Sequence, residues 1–166
     1  MAEAITRILV PVDFSSHSDR ALRYATRLAA RLGASVELLH VVDNPFASGA
    51  WTSEIYVPSL PQMLESLLSE ANKRLTAMKS VVASQGVDVE TNVLTGQPAH
   101  TIVEHAHGGG FDLIVMGTHG RTGFSHAFVG SVAERVVRRA PCPVLTVRET
   151  TTLEEEERPA TTTAVA

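Results

Sequence analysis

Hydrophobic residues along the chain follow two patterns in turn: short continuous runs, and single residues repeated at helical spacing. Short aliphatic runs predict buried strands at residues 7–13, 35–42, 87–94, 113–116 and 144–147. Apolar residues at helical spacing predict helices between these runs, including Ala99–His107 and Val132–Arg139. Strands and helices that alternate in this way are typical of a parallel sheet covered by helices on both faces. We therefore predict a five-stranded α/β fold.

Residues that begin or end helices give the expected boundaries of the first two. Ser16 or Ser18 is a candidate N-cap of the first helix, and Gly33 is the residue type that commonly follows a helix end. Pro61 is suited to the first turn of the second helix, which Gly86 ends. The following strand, 87–94, alternates strongly in polarity, which predicts a strand near a sheet edge with one exposed face.

Composition fits one domain in the cytoplasm. The chain has 166 residues, 44% of them hydrophobic and 19% charged, which is ordinary for a globular domain with a sizeable core. No apolar run is long enough to span a bilayer, and residues 1–7 lack the features of a secretory signal, so no membrane insertion is expected. Cys142 is the only cysteine, which excludes an internal disulfide and favours a packed small residue there.

The net charge of -4 is unevenly distributed. Acidic and basic side chains are equal in number over residues 1–148, and the excess comes from Glu149 and the run Glu154–Glu157. A neutral body argues against nucleic-acid binding, because such binding depends on neutralising phosphates. We expect a nucleotide-binding domain at 1–148 and a mostly disordered acidic tail at 149–166.

The most informative stretch runs from Gly117 to Ser131. It joins a predicted buried strand to a predicted helix and is rich in glycine. Glycine lets the backbone approach a ligand, and the first turn of a helix offers N–H groups that have no partner within the helix. This combination favours a phosphate, so we predict nucleotide binding here. The pattern G-x-x-x-x-G-K-(S/T) is absent, so a Walker loop is excluded.

If strand 1 lies beside strand 4, a crevice opens where their carboxyl ends meet. The segments Pro11-Val12-Asp13 and Met116-Gly117 would then face each other across it. A carboxylate at Asp13 is suited to ribose hydroxyls or to a magnesium ion. The alternative for Asp13 is a capping role at the helix that follows.

These residues resemble the universal stress protein family. Gly117, Gly120 and Gly130-Ser131 match the family's nucleotide-binding signature, G-x2-G-x9-G-(S/T). The segments 8–13, 112–120 and 141–147 are similar to the family's first strand, the strand before its loop and its last strand. The resemblance covers about residues 5–148.

The resemblance implies a doubly wound sheet of order 3-2-1-4-5 and a homodimer formed through the last strand, Val144 to Val147. It also places the chain with the ATP-binding members, because the glycine signature is retained. Magnesium would accompany ATP, with Asp13 as its candidate ligand. A protein partner is expected but not identified.

The resemblance also gives the candidate residues their roles. Gly117, Gly120 and Gly130 would follow the ribose and phosphates, while Ser131 and Val132 would offer N–H groups at the helix start. The adenine would be lined by Pro11, Val12, Val41 and Met116. Arg121 would supply a positive charge for the phosphates. By pattern alone, Val12 and Val41 are core valines and Arg121 is a solvated loop cation, and these alternatives stay open.

We predict a cytoplasmic ATP-binding stress-response regulatory protein, in which ATP is a ligand that controls assembly or partner binding. The first alternative is a slow ATP hydrolase of the same superfold, although no general base or nucleophile is evident and no catalytic residue is assigned. The second is an interaction module that binds no nucleotide. His105 and His107 are expected to be exposed at a helix end.

Overall fold

The computed structural model of the chain describes residues 4–43, 60–118 and 130–148. The predicted site residues Gly120 and Arg121 lie outside the described residues, as does the predicted tail. Strands and helices alternate through the described chain, as predicted. They are β1 (Arg7–Pro11), α1 (Ser16–Leu32), β2 (Ser35–Asp43), α2 (Leu60–Ala83), β3 (Val89–Gly96), α3 (Pro98–Gly109), β4 (Leu113–Gly117), α4 (Ser131–Arg139) and β5 (Val144–Val147).

All five strands pair in parallel, in the order β3-β2-β1-β4-β5. The doubly wound order is therefore confirmed, and β1 lies between β2 and β4. One core packs α1 and α2 against one face of the sheet, through residues such as Ala25 and Leu75. A second core packs α3 and α4 against the other face, through Ile102 and Val136. In the described chain no helix is both long and apolar enough to cross a membrane.

The strand β3 lies at one edge of the sheet, as its alternating pattern predicts. Val89 is buried, while the following positions are exposed or half-buried. The predicted boundaries are less accurate than the predicted elements. The first strand ends at Pro11 rather than residue 13, and β3 begins at Val89 rather than residue 87.

The ends of α1 show one wrong prediction and one confirmed prediction. The N-cap is Ser15, not Ser16 or Ser18, and its hydroxyl oxygen accepts a hydrogen bond from the N–H of Ser18 at 3.3 Å. Ser15 can cap because its backbone is extended, with φ -86° and ψ 163°. Gly33 does end the helix, at φ 67°, and its N–H bonds to the carbonyl of Ala29.

A buried charge lies near the amino end of the sheet. Glu37 of β2 is 7% exposed, and its carboxylate contacts His105 of α3 at 2.6 Å and Arg7 of β1 at 3.6 Å. Arg7 also donates to the carbonyl of Gly109 and lies over the ring of Phe111 at 4.6 Å. The prediction that His105 is exposed was wrong, because this contact draws it against β2. His107 is exposed, as predicted.

Asp112 joins the start of β4 to the start of β1. Its Oδ2 accepts three hydrogen bonds, from the N–H of Thr6 at 2.7 Å, the hydroxyl of Thr6 at 2.8 Å and the N–H of Arg7 at 2.9 Å. The Asp112 N–H also donates to the carbonyl of Arg7 at 3.0 Å. The hydrogen bonds from Thr6 hold the pKa of the Asp112 carboxyl below its ordinary value, and Arg7 adds to this.

Cys142 lies half-buried against the core that covers the α3 and α4 face. Burial raises the pKa of its thiol, and the negative charge of Asp112 raises it further. The thiol is therefore protonated at neutral pH and weakly nucleophilic. A packing role accounts for this residue.

At the other end of β4, Gly117 lies against the first turn of α1. A Cβ built on Gly117 would be 3.1 Å from each of three atoms of His17, two of them backbone atoms. Backbone atoms cannot move aside as the end of a flexible side chain can. A side chain at position 117 would therefore crowd the packing of α1 against β4, apart from any role of Gly117 in binding a ligand.

We expect the Asp112 hydrogen bonds to stabilise the fold in a pH-dependent way. The carboxylate has a lowered pKa in the folded state, so its contribution is present above the ordinary value of 3.8 and is lost as the pH falls through the folded value. Asp112→Asn should lower the free energy of unfolding by about 1 kcal/mol at pH 7. The gap between variant and wild type should narrow below about pH 4.

Urea unfolding at a series of pH values measures this gap. The control is Asp88→Asn, at an exposed aspartate before β3, which should change the free energy of unfolding by less than about 0.5 kcal/mol. A gap for Asp112→Asn that stays constant from pH 7 to pH 3 would contradict the account.

We expect Gly117→Ala to destabilise the protein without any ligand, because the new methyl group meets the backbone of His17. Overpacking of this kind costs about 1–3 kcal/mol, measurable by urea unfolding followed by circular dichroism. The matched control is Gly108→Ala in α3, where an added Cβ meets no atom within 4 Å. That variant should be neutral or stabilised by up to about 1 kcal/mol. Equal effects of the two substitutions would refute the close-packing role.

Candidate functional site at the carboxyl edge of the sheet

A cavity of about 620 Å³ opens at the carboxyl ends of β1, β2 and β4. Its volume is within the range usual for small-molecule sites. All the predicted site residues that fall in the described chain line this one cavity. They are Pro11, Val12, Asp13, Val41, Met116, Gly117, Gly130, Ser131 and Val132.

The turn from β1 into α1 contains Asp13 and lines part of the cavity. Oδ1 of Asp13 accepts hydrogen bonds from the hydroxyl of Ser15 at 2.6 Å and from its N–H at 3.1 Å. Asp13 is therefore not itself the cap of α1, as the alternative had it, but its carboxylate holds the capping residue Ser15. It also lines the cavity, so a ligand contact is compatible with this supporting role.

Three side chains form a stack along one wall of the cavity. The ring of Phe14 lies 4.3 Å from the ring of His40 of β2, with 32° between their planes. The guanidinium carbon of Arg74, from α2, lies 4.1 Å from the Phe14 ring centroid. The backbone of Phe14 has φ 64°, a left-handed conformation that is unusual for an aromatic residue. We call these three residues the Phe14 stack.

His40 anchors the Phe14 stack to the sheet. It is 7% exposed, and its Nδ1 lies 2.7 Å from the carbonyl oxygen of Val12. Because a carbonyl oxygen only accepts hydrogen bonds, Nδ1 of His40 carries the proton. The hydrogen bond fixes the ring orientation of His40 and thereby the position of Phe14 above it.

The opposite wall contains the start of α4. Gly130 is the N-cap, and the first backbone hydrogen bond of the helix runs from Glu134 N–H to the Gly130 carbonyl at 2.9 Å. The Gly130 N–H donates to the carbonyl of Thr118 at 2.6 Å, which fixes Gly130 beside the end of β4. The N–H groups of a helix's first turn have no carbonyl of that helix to bond, so they suit an anion.

Charged groups of both signs line the cavity. The described lining includes the carboxylates of Asp13, Asp43 and Glu70, and the guanidinium of Arg74, but no lysine. In residues 4–43, 60–118 and 130–148, no three His, Cys, Asp or Glu side chains come together as a metal site. A magnesium ion near Asp13 would need most of its ligands from phosphate oxygens and water, an arrangement that is common for this ion.

The sequence did not indicate the Phe14 stack. His40 lies in a predicted buried strand, and the pattern of that strand does not distinguish it from the other buried positions. Arg74 lies in the middle of a predicted helix with no motif around it, and no pattern predicts the left-handed backbone of Phe14. These residues come together because α2, which packs on β2 and β3, brings Arg74 to the Phe14 ring.

The arrangement is suited to a ligand with an anionic end and an apolar, planar end. The first turn of α4 offers N–H groups and the positive end of its dipole. Pro11, Val12, Val41 and Met116 offer apolar surface nearer the middle of the sheet. Asp13 also lines the cavity, and its carboxylate can accept hydrogen bonds from hydroxyl groups.

Comparisons with known proteins agree on the family. The model of the universal stress protein family matches residues 4–148. The chain is 38% identical over 149 residues to universal stress protein MJ0531 of Methanocaldococcus jannaschii, covering 86% of this chain and 82% of that protein.

Solved structures agree with the fold. Protein MJ0577 matches with a TM-score of 0.78 and 28% identity, over 90% of this chain and all of that one. A universal stress protein from Archaeoglobus fulgidus, solved in complex with dAMP, matches with a TM-score of 0.59 and 25% identity, over 87% of this chain and 98% of that one. The family model, the relative and the shared fold together show that this chain belongs to the universal stress protein family.

Proposed function

We propose that this protein binds ATP at the carboxyl edge of its sheet, and that ATP acts as a ligand that controls assembly or partner binding. The observation that carries the proposal is that one cavity, at the point where the strand order reverses, gathers the predicted residues of the described chain. The dAMP complex of a structural neighbour supports an adenine nucleotide as the ligand class. A cytoplasmic location, as predicted from the sequence, is part of the proposal.

The phosphates would lie at the first turn of α4. Ser131 is exposed there and adds a hydroxyl to the backbone N–H groups. Glycine at the N-cap leaves this end without a side chain that could occupy the anion position. A magnesium ion bound to the phosphates would reach Asp13 as its protein ligand.

The adenine would lie over the ends of β1 and β2. Val12 and Met116 are buried and Val41 is half-buried, and together they provide an apolar wall for a base. Val41 remains accessible enough to contact a base. Asp13 would accept hydrogen bonds from the ribose between the base and the phosphates.

A regulatory role for ATP fits this lining better than rapid hydrolysis. The described lining contains no lysine, and its only guanidinium is that of Arg74, on α2. Fast phosphoryl transfer depends on cations placed around the transferred phosphate. Release of phosphate from ATP at many turnovers per minute would favour the hydrolase alternative instead.

We expect Ser131→Asp to weaken ATP binding by at least about tenfold without unfolding the protein. A carboxylate in the first helical turn favours the helix dipole but repels a phosphate in the same position. The matched control is His100→Asp, which adds the same charge at an exposed residue in the first turn of α3 that does not itself line the cavity. Equilibrium dialysis against ATP measures both.

Two results would contradict this proposal. One is no binding by the wild-type protein at millimolar ATP, which would leave a nucleotide-free interaction module. The other is an equal loss of affinity in Ser131→Asp and His100→Asp. Gly117 is a poor choice for this test, because its substitution disturbs the packing of α1 itself.

We also propose a homodimer formed through β5, which is the outer strand of the described sheet. The carbonyls of Pro143 and Val147 accept hydrogen bonds from the N–H of Ile114 in β4 at 3.0 Å and from the N–H of Thr118, just after β4, at 3.1 Å. By the alternation of a parallel ladder, the backbone groups of Val144 and Thr146 point away from β4. Unpaired groups of this kind favour pairing with a second edge strand.

We expect Thr146→Pro to convert the dimer to a monomer, because proline removes an outward N–H without touching the bonds to β4. Analytical ultracentrifugation, with and without ATP, measures the change and shows whether assembly depends on the nucleotide. A wild-type protein that is monomeric at all concentrations would contradict the dimer. An unchanged dimer in Thr146→Pro would exclude this strand as its interface.

A further inference from the structure

The side chain of Arg74 contacts an aromatic ring instead of the carboxylate that lies one helical turn before it. Glu70 precedes it by one helical turn, a spacing that normally favours an ion pair between glutamate and arginine. In the described chain Arg74 forms no ion pair, and its guanidinium carbon lies 4.1 Å from the centre of the Phe14 ring instead. Arg74 is exposed and lines the cavity, so its guanidinium is accessible to a ligand there.

Phe14 adopts a strained backbone to take part in this contact. A left-handed conformation, here φ 64°, is unfavourable for a residue with a bulky side chain, and such residues concentrate at functional sites. Its ring lies between His40 and Arg74, and His40 is fixed by the Val12 carbonyl. The Phe14 stack is therefore ordered from the sheet outwards, with the planar guanidinium as its last layer.

The position of α2 indicates which part of a nucleotide this layer meets. α2 packs on β2 and β3, whereas α4 lies on the opposite face and contacts β5. The phosphates belong at α4, so Arg74 lies toward the other end of the cavity, with the ends of β1 and β2. That end is where the adenine is proposed to lie.

We propose that Arg74, held on Phe14, stacks on the base of the bound nucleotide and is a specificity-determining residue for a purine. The inference rests on the proposed nucleotide binding and names a contact outside the glycine signature. Guanidinium groups stack on nucleobases as they do on aromatic side chains, and a purine offers the larger surface. The stack then has four layers: His40, Phe14, Arg74 and the base.

The test compares ligands that share phosphates but differ in the base. Isothermal titration calorimetry would measure ATP, CTP and inorganic tripolyphosphate binding to the wild type, Arg74→Gln and Arg74→Lys. Arg74→Gln should weaken ATP about 5- to 30-fold, leave tripolyphosphate unchanged and bring the ATP and CTP affinities closer together. Arg74→Lys should behave like Arg74→Gln, since an ammonium keeps the charge but lacks the planar group.

The matched control is Lys73→Gln, which removes one positive charge from the neighbouring exposed position of α2, outside the cavity lining. It should leave all three affinities unchanged. If the wild type binds ATP but Arg74→Gln matches Lys73→Gln, the stacking contact is wrong and the nucleotide site stands. If Arg74→Gln weakens tripolyphosphate as much as ATP, or lysine restores binding, Arg74 contacts phosphate instead. If the wild type binds no nucleotide, the proposed function fails and this inference with it.

The variant Phe14→Leu provides a second test, which distinguishes stacking of Arg74 on the base from a purely structural role of Arg74. Leucine keeps apolar bulk but offers no aromatic face, so Arg74 would lose its support. The losses of ATP affinity in Phe14→Leu and Arg74→Gln should then be strongly non-additive in the double variant, because the two residues act as one unit. Additive losses would overturn the proposed stack.

Discussion

The pairing of β1 with β4 is the constraint on which the rest of the structure depends. The chain builds β1, β2 and β3 outward to one edge and then returns to place β4 on the free side of β1. Asp112, at the start of β4, accepts hydrogen bonds from the backbone of Thr6 and Arg7 at the start of β1. Gly117, at the end of β4, packs closely against α1. The helices that follow β1 and β4 therefore leave on opposite faces, and the cavity opens between them.

The order and type of the elements could be predicted because each carries its own local signal. Aliphatic strands such as Leu113–Met116 are buried on both faces, and the polar alternation after Val89 marks an edge strand, so burial alone gives these patterns. Ends were harder to predict. Three serines compete to cap α1, and Ser15 caps it because its backbone is extended and its hydroxyl and N–H bond to Asp13, neither of which the sequence shows. The burial of His105 was missed as well, because nothing in the sequence links it to Glu37, which precedes it by 68 residues.

The site was predictable where it follows one strand or opens one helix. Asp13 and Ser131 lie at such positions, Val41 lies near the end of β2, and the strand order brings the three together. The Phe14 stack was not predictable, because it depends on where α2 crosses the sheet and on a backbone conformation that aromatic residues rarely adopt. Gly117 shows a further limit of motif analysis: the sequence pattern suggests only a ligand contact for it, and the structure alone reveals its close packing against His17.

The central claim is that the carboxyl edge of the sheet, between α2 and α4, is the nucleotide-binding site. Amide chemical shifts recorded during titration of the labelled protein with ATP test it most directly, because they report on all backbone positions other than the prolines in one experiment. The account predicts that the largest changes fall on Asp13, Val41 and the first turn of α4, with smaller changes around Arg74. No change at millimolar ATP, or changes centred on the amino edge around Thr6 and Asp88, would contradict it.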